Sequence, residues 1–330
     1  MYFNQENNFF HGIMFHHFHD DGMHKKGQGS INSDELRKLI KFIGRENILN
    51  SDEFFQRFKE NKLKSTDVCL TFDDSLRCQY DIALPVLDDL NIKCFIFTYT
   101  SLLVDEGNLL INRQGDIFEY SRYFRMNYFK SVDDFYSHFF KKVKKDFNNF
   151  LSTNENQIKS FKIKYPHYST TDIHFRLVRD QLLNSEEYRN IMIDMFLEKK
   201  FEPKNISKEL FLNKNHLRNL KSNGHLIGLH SHSHPTLLEK LSYDDQLKEY
   251  EDNINTLSKL LGIKKTEVKF MSHPSGSYNK DSLKILTDLG IELGFKQIMT
   301  VEPERGMKKI NNSFLEIARQ DHADIMKMMK

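Results

Sequence analysis

The sequence predicts an α/β fold whose centre is a parallel β-sheet. The clearest pattern lies between residues 66 and 99, where it predicts a buried strand (Thr66–Asp74), a helix (Leu84–Leu90) and a second strand (Lys93–Tyr99). A strand, a helix and a strand with short connections form the βαβ unit of a parallel sheet. Similar short apolar runs predict further strands from Gly12 onward and at Gly224–Leu229, Glu267–Met271, Leu293–Met299 and Leu315–Ala318.

Helical spacing predicts the elements that accompany these strands. Ser33–Ile43, with Ser33 as its N-cap, Tyr243–Leu261 and Asp281–Leu289 are amphipathic. Between about residues 101 and 215 few runs resemble buried strands, and Val132–Phe150 has helical spacing. We therefore predict an α-helical insertion at 101–215 within a single domain.

Basic and aromatic residues crowd Tyr120–Lys130, inside the predicted insertion. They could contact a phosphorylated or nucleotide-bearing substrate, or single-stranded nucleic acid by stacking. They could equally form one amphipathic helix, because Lys and Arg stems routinely cover apolar surface. The second interpretation is favoured.

Composition and charge limit the possible functions. The chain has 330 residues, 39% of them hydrophobic, which suffices for a large α/β core. Lys and Arg number 48 against 46 Asp and Glu, so no overall field attracts nucleic acid or an anionic membrane. Met1–Phe10 lacks the pattern of a secretory signal, and no later stretch resembles a membrane span, so we expect a cytoplasmic protein. Cys69, Cys78 and Cys94 are expected to be buried, reduced thiols.

Polar side chains crowd the ends of two predicted strands. The first strand runs into His16, His17 and His19, and the second ends in Asp73 and Asp74. Ligands collect beyond the carboxyl ends of parallel strands, so either group could reach a site there. Adjacent carboxylates are costly unless a cation or strong donors hold them. The alternatives are a solvated loop for the histidines and a turn cap for the aspartates.

The strand at Gly224–Leu229 is followed by His230-Ser-His-Ser-His-Pro235. Histidines at i and i+4 after an apolar run match metal-ligand spacing better than core filling. Pro235 disfavours the α conformation at His234, so the pair should lie in a loop. A metal with two imidazoles needs at least one more protein ligand, and Asp73-Asp74 is the obvious donor. The sequence thus predicts a site for one divalent metal.

Three motifs occur in order at predicted strand ends: Thr71-Phe-Asp-Asp-Ser75, His230-Ser-His-Ser-His-Pro235 and Pro274-Ser-Gly276. In order and spacing they resemble the first three motifs of the polysaccharide deacetylases of carbohydrate esterase family 4. The resemblance covers Ile13–Tyr99 and Leu220–His322 and leaves the insertion unexplained. It implies a distorted, incomplete (β/α) barrel spanning 1–330 as one deacetylase-like catalytic domain.

The resemblance also implies a site with one divalent metal, usually Zn²⁺. By motif position, Asp74, His230 and His234 would bind the metal, and Asp73 would be the general base. Ser231 would steady the ligand loop. The backbone N–H of the serine in the third motif, Ser275, would help to stabilise an oxyanion.

The chain departs from the family pattern in two places. The arginine that normally opens the third motif and holds the base is absent, and its place falls near Ser272. The late motif that carries the general acid is not recognisable. Arg319 and His322 are candidate replacements, because Arg319 follows an apolar run and should emerge where Asp73 lies. The alternative is a surface ion pair for Arg319 and an exposed tail position for His322.

The expected chemistry is hydrolytic removal of a formyl or acetyl group from an amino sugar or sugar conjugate. The metal would activate water and polarise the amide carbonyl, Asp73 would take the proton, and an acid would protonate the leaving amine. Two other functions stay open: an amidohydrolase on a non-sugar amide, and a catalytically silent sugar-binding or metal-binding protein. A cytoplasmic location would favour a small nucleotide-linked or lipid-linked sugar over a wall polymer. No nucleic-acid partner is expected, and the sequence does not predict an oligomeric state.

Overall fold

The structure, a computed structural model, describes residues 11–27, 29–104, 114–164, 168–298 and 314–329. Within these residues, seven parallel strands form a closed barrel. The strands are β1 (Gly12–Phe15), β2 (Cys69–Phe72), β3 (Phe95–Thr98), β4 (Leu226–Leu229), β5 (Phe270–Ser272), β6 (Leu293–Ile298) and β7 (Ile317–Asp321). Each strand pairs with the next along the chain, and β7 pairs with β1 to close the ring. The predicted (β/α) barrel is confirmed.

The barrel is incomplete in strand number, because the described residues supply seven strands where a full (β/α) barrel has eight. Pairing is uneven around the ring. β1 and β2 share four residue pairs, from Gly12↔Cys69 to Phe15↔Phe72. In contrast, β4 and β5 share one pair, Leu229↔Met271. The strands predicted from the sequence are all present, and the polar motifs lie in the loops that follow them.

The α-helices are α1 (Ser33–Ile43), α2 (Ser51–Lys59), α3 (Leu84–Asp89), α4 (Ser101–Val104), α5 (Gln114–Asn127), α6 (Val132–Lys142), α7 (Phe147–Thr153), α8 (Glu155–Lys164), α9 (Thr170–Leu177), α10 (Ser185–Glu198), α11 (Pro203–Leu210), α12 (Lys214–Ser222), α13 (Tyr243–Leu261), α14 (Lys280–Asp288) and α15 (His322–Met328). Helix α1 has the predicted bounds, but the prediction of Ser33 as its N-cap is wrong. The cap is Asn32, whose side chain accepts from the Glu35 N–H while the Glu35 carboxylate accepts from the Asn32 N–H. This reciprocal pair is a capping box, and it starts the helix one residue after Asn32.

Large apolar side chains fill the end of the barrel at which the strands begin. Phe95, Phe270 and Leu293, each the first residue of its strand, form one buried cluster with Phe54 of α2. The Phe54 ring lies 6.1 Å from the Phe95 ring in an edge-on arrangement that favours aromatic contact. This end is a packed core, so the polar strand ends of the opposite side are the place for a site.

Residues 109–206 form a compact unit of their own, and the barrel belongs to the unit made of residues 1–108 and 207–330. The described part of the 109–206 unit is helical and contains α5 to α10. The insertion predicted at 101–215 is therefore longer than this unit. Helix α4 lies at the start of the predicted insertion and helix α12 begins at its end, and both belong to the barrel unit.

The aromatic residues of Tyr120–Lys130 form much of the centre of the 109–206 unit. Phe124 of α5 is fully buried and packs against the rings of Phe196, at 4.8 Å, and Phe201, at 5.2 Å. Tyr120 is only 1% exposed. These two rings are not available to stack on nucleic acid, which agrees with the amphipathic-helix interpretation.

Two further expectations concern compartment and chemistry. No helix in the described ranges has both the length and the apolarity to cross a bilayer. Cys69, Cys78 and Cys94 are buried and form no disulfide, as predicted, and burial raises the pKa of the Cys94 thiol far above its usual value. The Met1–Phe10 segment, on which the cytoplasmic prediction partly depends, lies outside the described residues.

Candidate active site

The predicted metal ligands meet where β2 and β4 end. Asp74 follows β2 by two residues, and His230 follows β4 directly. One ligand atom from each of Asp74, His230 and His234 lies within 4.8 Å of the others, and all three residues are buried. The Nε2 atoms of His230 and His234 are each 3.2 Å from Asp74 Oδ1. The three side chains therefore converge on one point.

The surroundings of Asp74 Oδ1 fit a bound cation. Tetrahedral coordination with bonds of about 2.0–2.1 Å places neighbouring ligand atoms roughly 3.3 Å apart, and Asp74 Oδ1 lies 3.2 Å from the Nε2 atom of each histidine. Asp74 Oδ1 is buried and accepts no hydrogen bond from the residues that the structure describes. His230 Nδ1 lies 2.8 Å from the Ser272 carbonyl oxygen, which can only accept, so Nε2 keeps its lone pair for a metal. The residues present thus fit a divalent metal such as Zn²⁺.

The charge state of Asp74 also suits a metal ligand. Burial alone would raise the pKa of this carboxyl, but the His234 and His230 rings reverse the effect and hold the pKa well below its usual range. Asp74 has a left-handed backbone, with φ of 74°, whereas β2 before it is extended. Because of this change in backbone conformation, the side chain of Asp74 has different neighbours from that of Asp73.

The His230–Pro235 segment is a loop, as predicted, and two of its residues have left-handed backbones. These are Ser231, with φ of 61°, and His234, with φ of 55°. Ser231 Oγ accepts a hydrogen bond from the His234 N–H at 3.1 Å, which agrees with the predicted role of Ser231 in steadying the loop. The intervening His232 has its Nδ1 3.0 Å from Thr100 Oγ1 and is not among the converging ligands.

Helix α13 holds the same loop through two residues that the sequence analysis missed. Glu249 accepts hydrogen bonds from the N–H groups of His232, at 2.9 Å, and Ser233, at 2.8 Å. Asn253 is fully buried and accepts from the His230 N–H at 3.0 Å. For Asn253 the sequence did carry a signal: an amide side chain on the apolar face of an amphipathic helix needs a hydrogen-bond partner.

The second carboxylate, Asp73, is held by Arg319 of β7. Arg319 Nη1 and Nη2 donate to Asp73 Oδ1 and Oδ2 at 2.7 and 2.8 Å, forming a buried bidentate pair. Nη2 also donates to Ser272 Oγ at 2.7 Å, and Ser272 Oγ donates to Asp73 Oδ2 at 3.2 Å. The guanidinium thus comes from β7, and Ser272 occupies the place of the missing arginine. The predicted placement of Arg319 beside Asp73 is confirmed.

The pKa of the Asp73 carboxyl reflects this pairing. Burial would raise it, but the Arg319 guanidinium together with the His230 and His16 rings outweighs burial and lowers the pKa below its ordinary value. Asp73 is therefore ionised at neutral pH and able to accept a proton. Strand β1 leaves room for the arginine at Gly12, its register partner, where a Cβ atom would lie 2.7 Å from Arg319 Cγ.

His16 lies beside both carboxylates at the end of β1. Its Nε2 is 3.7 Å from Asp74 Oδ2 and 4.0 Å from Asp73 Oδ2. Its side chain is 26% exposed, against 3% for Asp73 and 10% for Asp74, so it borders solvent. Among the histidines predicted at this strand end, His19 instead has its Nδ1 2.9 Å from Ser30 Oγ. The sequence pattern at the end of β1 indicated a cluster of histidines near the site, but it did not indicate that His16 is the one beside the carboxylates.

The prediction of His322 as the general acid does not agree with its position. The residue starts helix α15 and is buried, with its ring stacked on Phe15 at 5.1 Å. Its Nδ1 and Nε2 lie 3.1 and 2.8 Å from the carbonyl oxygens of Met14 and Gly29. Both ring nitrogens are occupied by backbone, so neither is free to protonate a leaving group.

Ser275 lies in the short turn Pro274–Gly276 that follows β5. Its backbone is left-handed, with φ of 54°, and the residue is exposed. The contribution of its N–H to an oxyanion site stays a prediction.

A family comparison covers the middle of the chain. Residues 184–294 match the family model described as polysaccharide deacetylase. This part of the chain is similar to the polysaccharide deacetylase family. The matched segment contains the second and third motifs, and the barrel brings the first motif and Arg319 to them. The resemblance stated from the motifs is confirmed.

Solved deacetylase structures share the fold over nearly the whole chain. Deacetylase PplD of Streptococcus pyogenes, solved in complex with acetate, is 17% identical with a TM-score of 0.53, covering 98% of this chain and 99% of its own. IcaB of Ammonifex degensii is 11% identical with a TM-score of 0.54, covering 98% of both chains. A de-N-acetylase of Aggregatibacter actinomycetemcomitans is 12% identical with a TM-score of 0.51, covering 94% of this chain and 93% of its own. No curated protein has a significant sequence match.

Proposed function

We propose that the protein is a metal-dependent hydrolase that removes an N-acyl group, acetyl or formyl, from an amino sugar in a glycan or sugar conjugate. The observation that carries the proposal is the pairing of two carboxylates with different partners at one end of the barrel. Asp74 lies against two imidazole nitrogens, and Asp73 lies in a bidentate pair with Arg319. A metal-ligand set beside a fixed carboxylate base is what amide hydrolysis requires.

Asp74, His230 and His234 would hold the metal. A divalent ion such as Zn²⁺ bound there would supply Lewis acidity that activates water and polarises the amide carbonyl. Asp73 accepts the proton of the attacking water, and Arg319 with Ser272 keeps both of its carboxylate oxygens fixed.

We assign the general acid to His16. The leaving amine must gain a proton, and histidine is the side chain best suited to give one near neutral pH. His16 Nε2 lies within 4.0 Å of both carboxylates and borders solvent, from which substrate enters. His322 is replaced in this role because its nitrogens face backbone carbonyls.

The relatives support an acetyl group and a glycan. One neighbour was solved with acetate and another is named a de-N-acetylase, and the family is named for polysaccharides. The catalytically silent alternative was suggested by the missing arginine of the third motif, and Arg319 supplies a guanidinium at that place. A non-sugar amide would use the same residues and differ in the pocket.

Acetate release decides between these functions. The purified protein, stripped with a chelator and reloaded with Zn²⁺, is incubated with N-acetylated glucosamine oligosaccharides, their N-formyl counterparts and simple non-sugar amides. We expect zinc-dependent acetate release from the oligosaccharides. Release from the non-sugar amides alone would favour the amidohydrolase, and metal binding without turnover of any of them would favour a silent binding protein.

A further inference from the structure

The ends of β1 and β2 separate just before the residues that carry the proposed acid and base. The last ladder hydrogen bond between them runs from the Asp73 N–H to the Phe15 carbonyl oxygen at 3.1 Å. Asp74 and Ser75 then adopt left-handed backbones, with φ of 74° and 56°, so β2 turns away from β1. The carbonyl groups of His16 and Asp73 lie beyond this ladder, and each needs a hydrogen-bond donor from elsewhere.

The side chain of Gln79 supplies both donors. Its Nε2 donates to the His16 carbonyl oxygen at 2.9 Å and to the Asp73 carbonyl oxygen at 2.6 Å. A side-chain amide nitrogen carries two hydrogens, so one group can serve both acceptors. Gln79 is 4% exposed, and solvent does not compete for these bonds. The two strand ends are therefore joined through one buried amide.

A local irregularity of the helix places this amide. Gln79–Ala83 is a π-helical turn that leads into α3 and closes with the Leu84 N–H on the Gln79 carbonyl oxygen. One extra residue in a turn shifts side chains by about 100° around the helix axis. Such turns occur frequently at functional sites.

The oxygen of the same Gln79 amide is in an unfavourable environment. Gln79 Oε1 is buried and accepts no hydrogen bond from the residues that the structure describes. A buried acceptor without a donor costs about 1–3 kcal/mol. An apolar side chain of similar length would avoid this cost, so the two donated hydrogen bonds are the property that distinguishes glutamine at this position.

We propose that Gln79 is a positioning residue that fixes His16 relative to Asp73. The inference rests on the proposed function for its catalytic meaning, since these residues are the assigned acid and base. His16 Nε2 is 3.7–4.0 Å from the two carboxylates, and its separation from them depends on where β1 ends relative to β2. Without the amide, the two carbonyl groups lose their shared donor and the strand ends separate.

The variant Gln79→Met tests this role, because methionine has nearly the same length and cannot donate. A misplacement of about 1 Å at a reacting group can cost 10²-fold in rate, so we expect kcat to fall by about 10- to 100-fold. KM should stay within about twofold, and metal content should be unchanged, since the amide donates to His16 and Asp73 and not to any of the three proposed ligands. The matched control is Tyr80→Phe, which removes the hydrogen bond from Tyr80 Oη to Asn219 Oδ1 in the same turn and should leave kcat unchanged.

Hydrogen exchange gives a second readout that does not need a substrate. In Gln79→Met the Asp73 N–H should exchange about tenfold faster than in the wild type, while amides in the middle of β2, such as that of Thr71, stay unchanged. Tyr80→Phe should match the wild type at both positions. If the wild type hydrolyses none of the substrates, the proposed function fails, and the exchange result still decides whether Gln79 joins the strand ends.

Two results would overturn the inference. One is a Gln79→Met protein with wild-type kcat and wild-type exchange at Asp73. The other is a uniform loss of stability, in which Gln79→Met and the isosteric Gln79→Glu both unfold near the assay temperature or show faster exchange throughout β2. That outcome would make Gln79 a residue of the core and not a positioning residue.

Discussion

At the scale of single residues, the candidate site gives different environments to two carboxylates that are neighbours in the chain. Asp73 directly follows β2 and pairs with Arg319, whereas Asp74 has a left-handed backbone and lies against His230 and His234. Both pKa values lie below the usual range, because cationic or polar partners outweigh burial in each case. These environments suit the proposed roles of Asp73 as base and Asp74 as metal ligand.

The metal assignment predicts a difference between two histidines of one loop. His234→Ala should lose most of the bound metal, because two protein ligands hold a divalent ion far less tightly than three. His232→Ala should keep it, since that ring contacts Thr100 instead. Elemental analysis of the purified variants after dialysis is the measurement, and equal metal content in both would contradict the ligand set.

The base assignment predicts a variant that binds metal without turnover. Asp73→Asn removes the proton acceptor, and positioned acid–base groups contribute ~10²- to 10⁴-fold, so acetate release should fall by that factor. Metal content should match the wild type because Asp74 is untouched. A loss of metal in Asp73→Asn would mean that the roles of the two aspartates are exchanged.

The acid assignment is tested by comparing His16→Gln with His322→Gln. We expect His16→Gln to lower kcat by ~10²-fold or more, since glutamine cannot carry the proton that the leaving amine needs. His322→Gln should keep its activity per folded molecule, because the ring contacts the backbone of Met14 and Gly29. Its melting temperature is measured alongside, and the reverse order of kcat losses would restore His322 as the acid.

At the scale of elements, one face of α13 determines the shape of the ligand loop. Glu249 and Asn253 are four residues apart and therefore lie on the same side of the helix, from which they accept hydrogen bonds from the backbone of residues 230–233. Outer partners of this kind orient metal ligands. The helix thus contributes to the site without supplying a ligand.

This arrangement predicts a weaker metal site when Asn253 is truncated. Asn253→Ala removes one of the two acceptors of the His230 N–H, the other being the Thr98 carbonyl oxygen, and also removes the donor to Thr100 Oγ1. Loss of such outer partners typically costs 10–100-fold in metal affinity. Competition with a metal-binding dye measures the change. The control is Glu251→Ala, an exposed position on the same helix, which should retain wild-type affinity. Equal affinity in all three proteins would show that the loop keeps its shape without α13.

At the scale of the whole molecule, buried neutral histidines make the stability of the fold depend on pH. Burial, together with the nearby Lys93, lowers the pKa of His225 to about 4, and its Nδ1 accepts a hydrogen bond from the Cys94 N–H. His11 is likewise lowered to about 4 by burial. In the unfolded chain each titrates near ~6.5. Between pH 6.5 and 4 the unfolded chain binds protons that the folded chain does not, so stability falls as pH falls.

The contribution of His225 can be isolated by His225→Asn. Asparagine offers an acceptor near the position of Nδ1 but does not titrate, so the variant should lose less stability on acidification. Between pH 7.5 and 5 the wild type should lose about 2 kcal/mol more free energy of unfolding than the variant. Urea denaturation at both pH values measures this, with the partly exposed His138→Asn as control. Parallel losses in all three proteins would exclude His225 as a source of acid sensitivity.

The sequence by itself determined the strands and the three side chains that converge at the proposed metal site. Apolar runs that end in polar residues mark parallel strands, and the ligands either adjoin a strand end or share one short loop. Their proximity in space follows from local order plus one topological rule, that parallel strands present their carboxyl ends together. The same rule placed Arg319 beside Asp73, although the two are far apart in the chain.

Only the tertiary structure decided which side chains beyond the strand ends face the site. His16 and His322 both follow barrel strands, but Asp321 caps helix α15, so His322 enters the first helical turn and packs on Phe15. His16 lies at the point where β1 and β2 separate. The direction of a side chain past a strand end depends on backbone turns and on helices packed from outside. These are set by long-range contacts, which residue spacing along the chain does not encode.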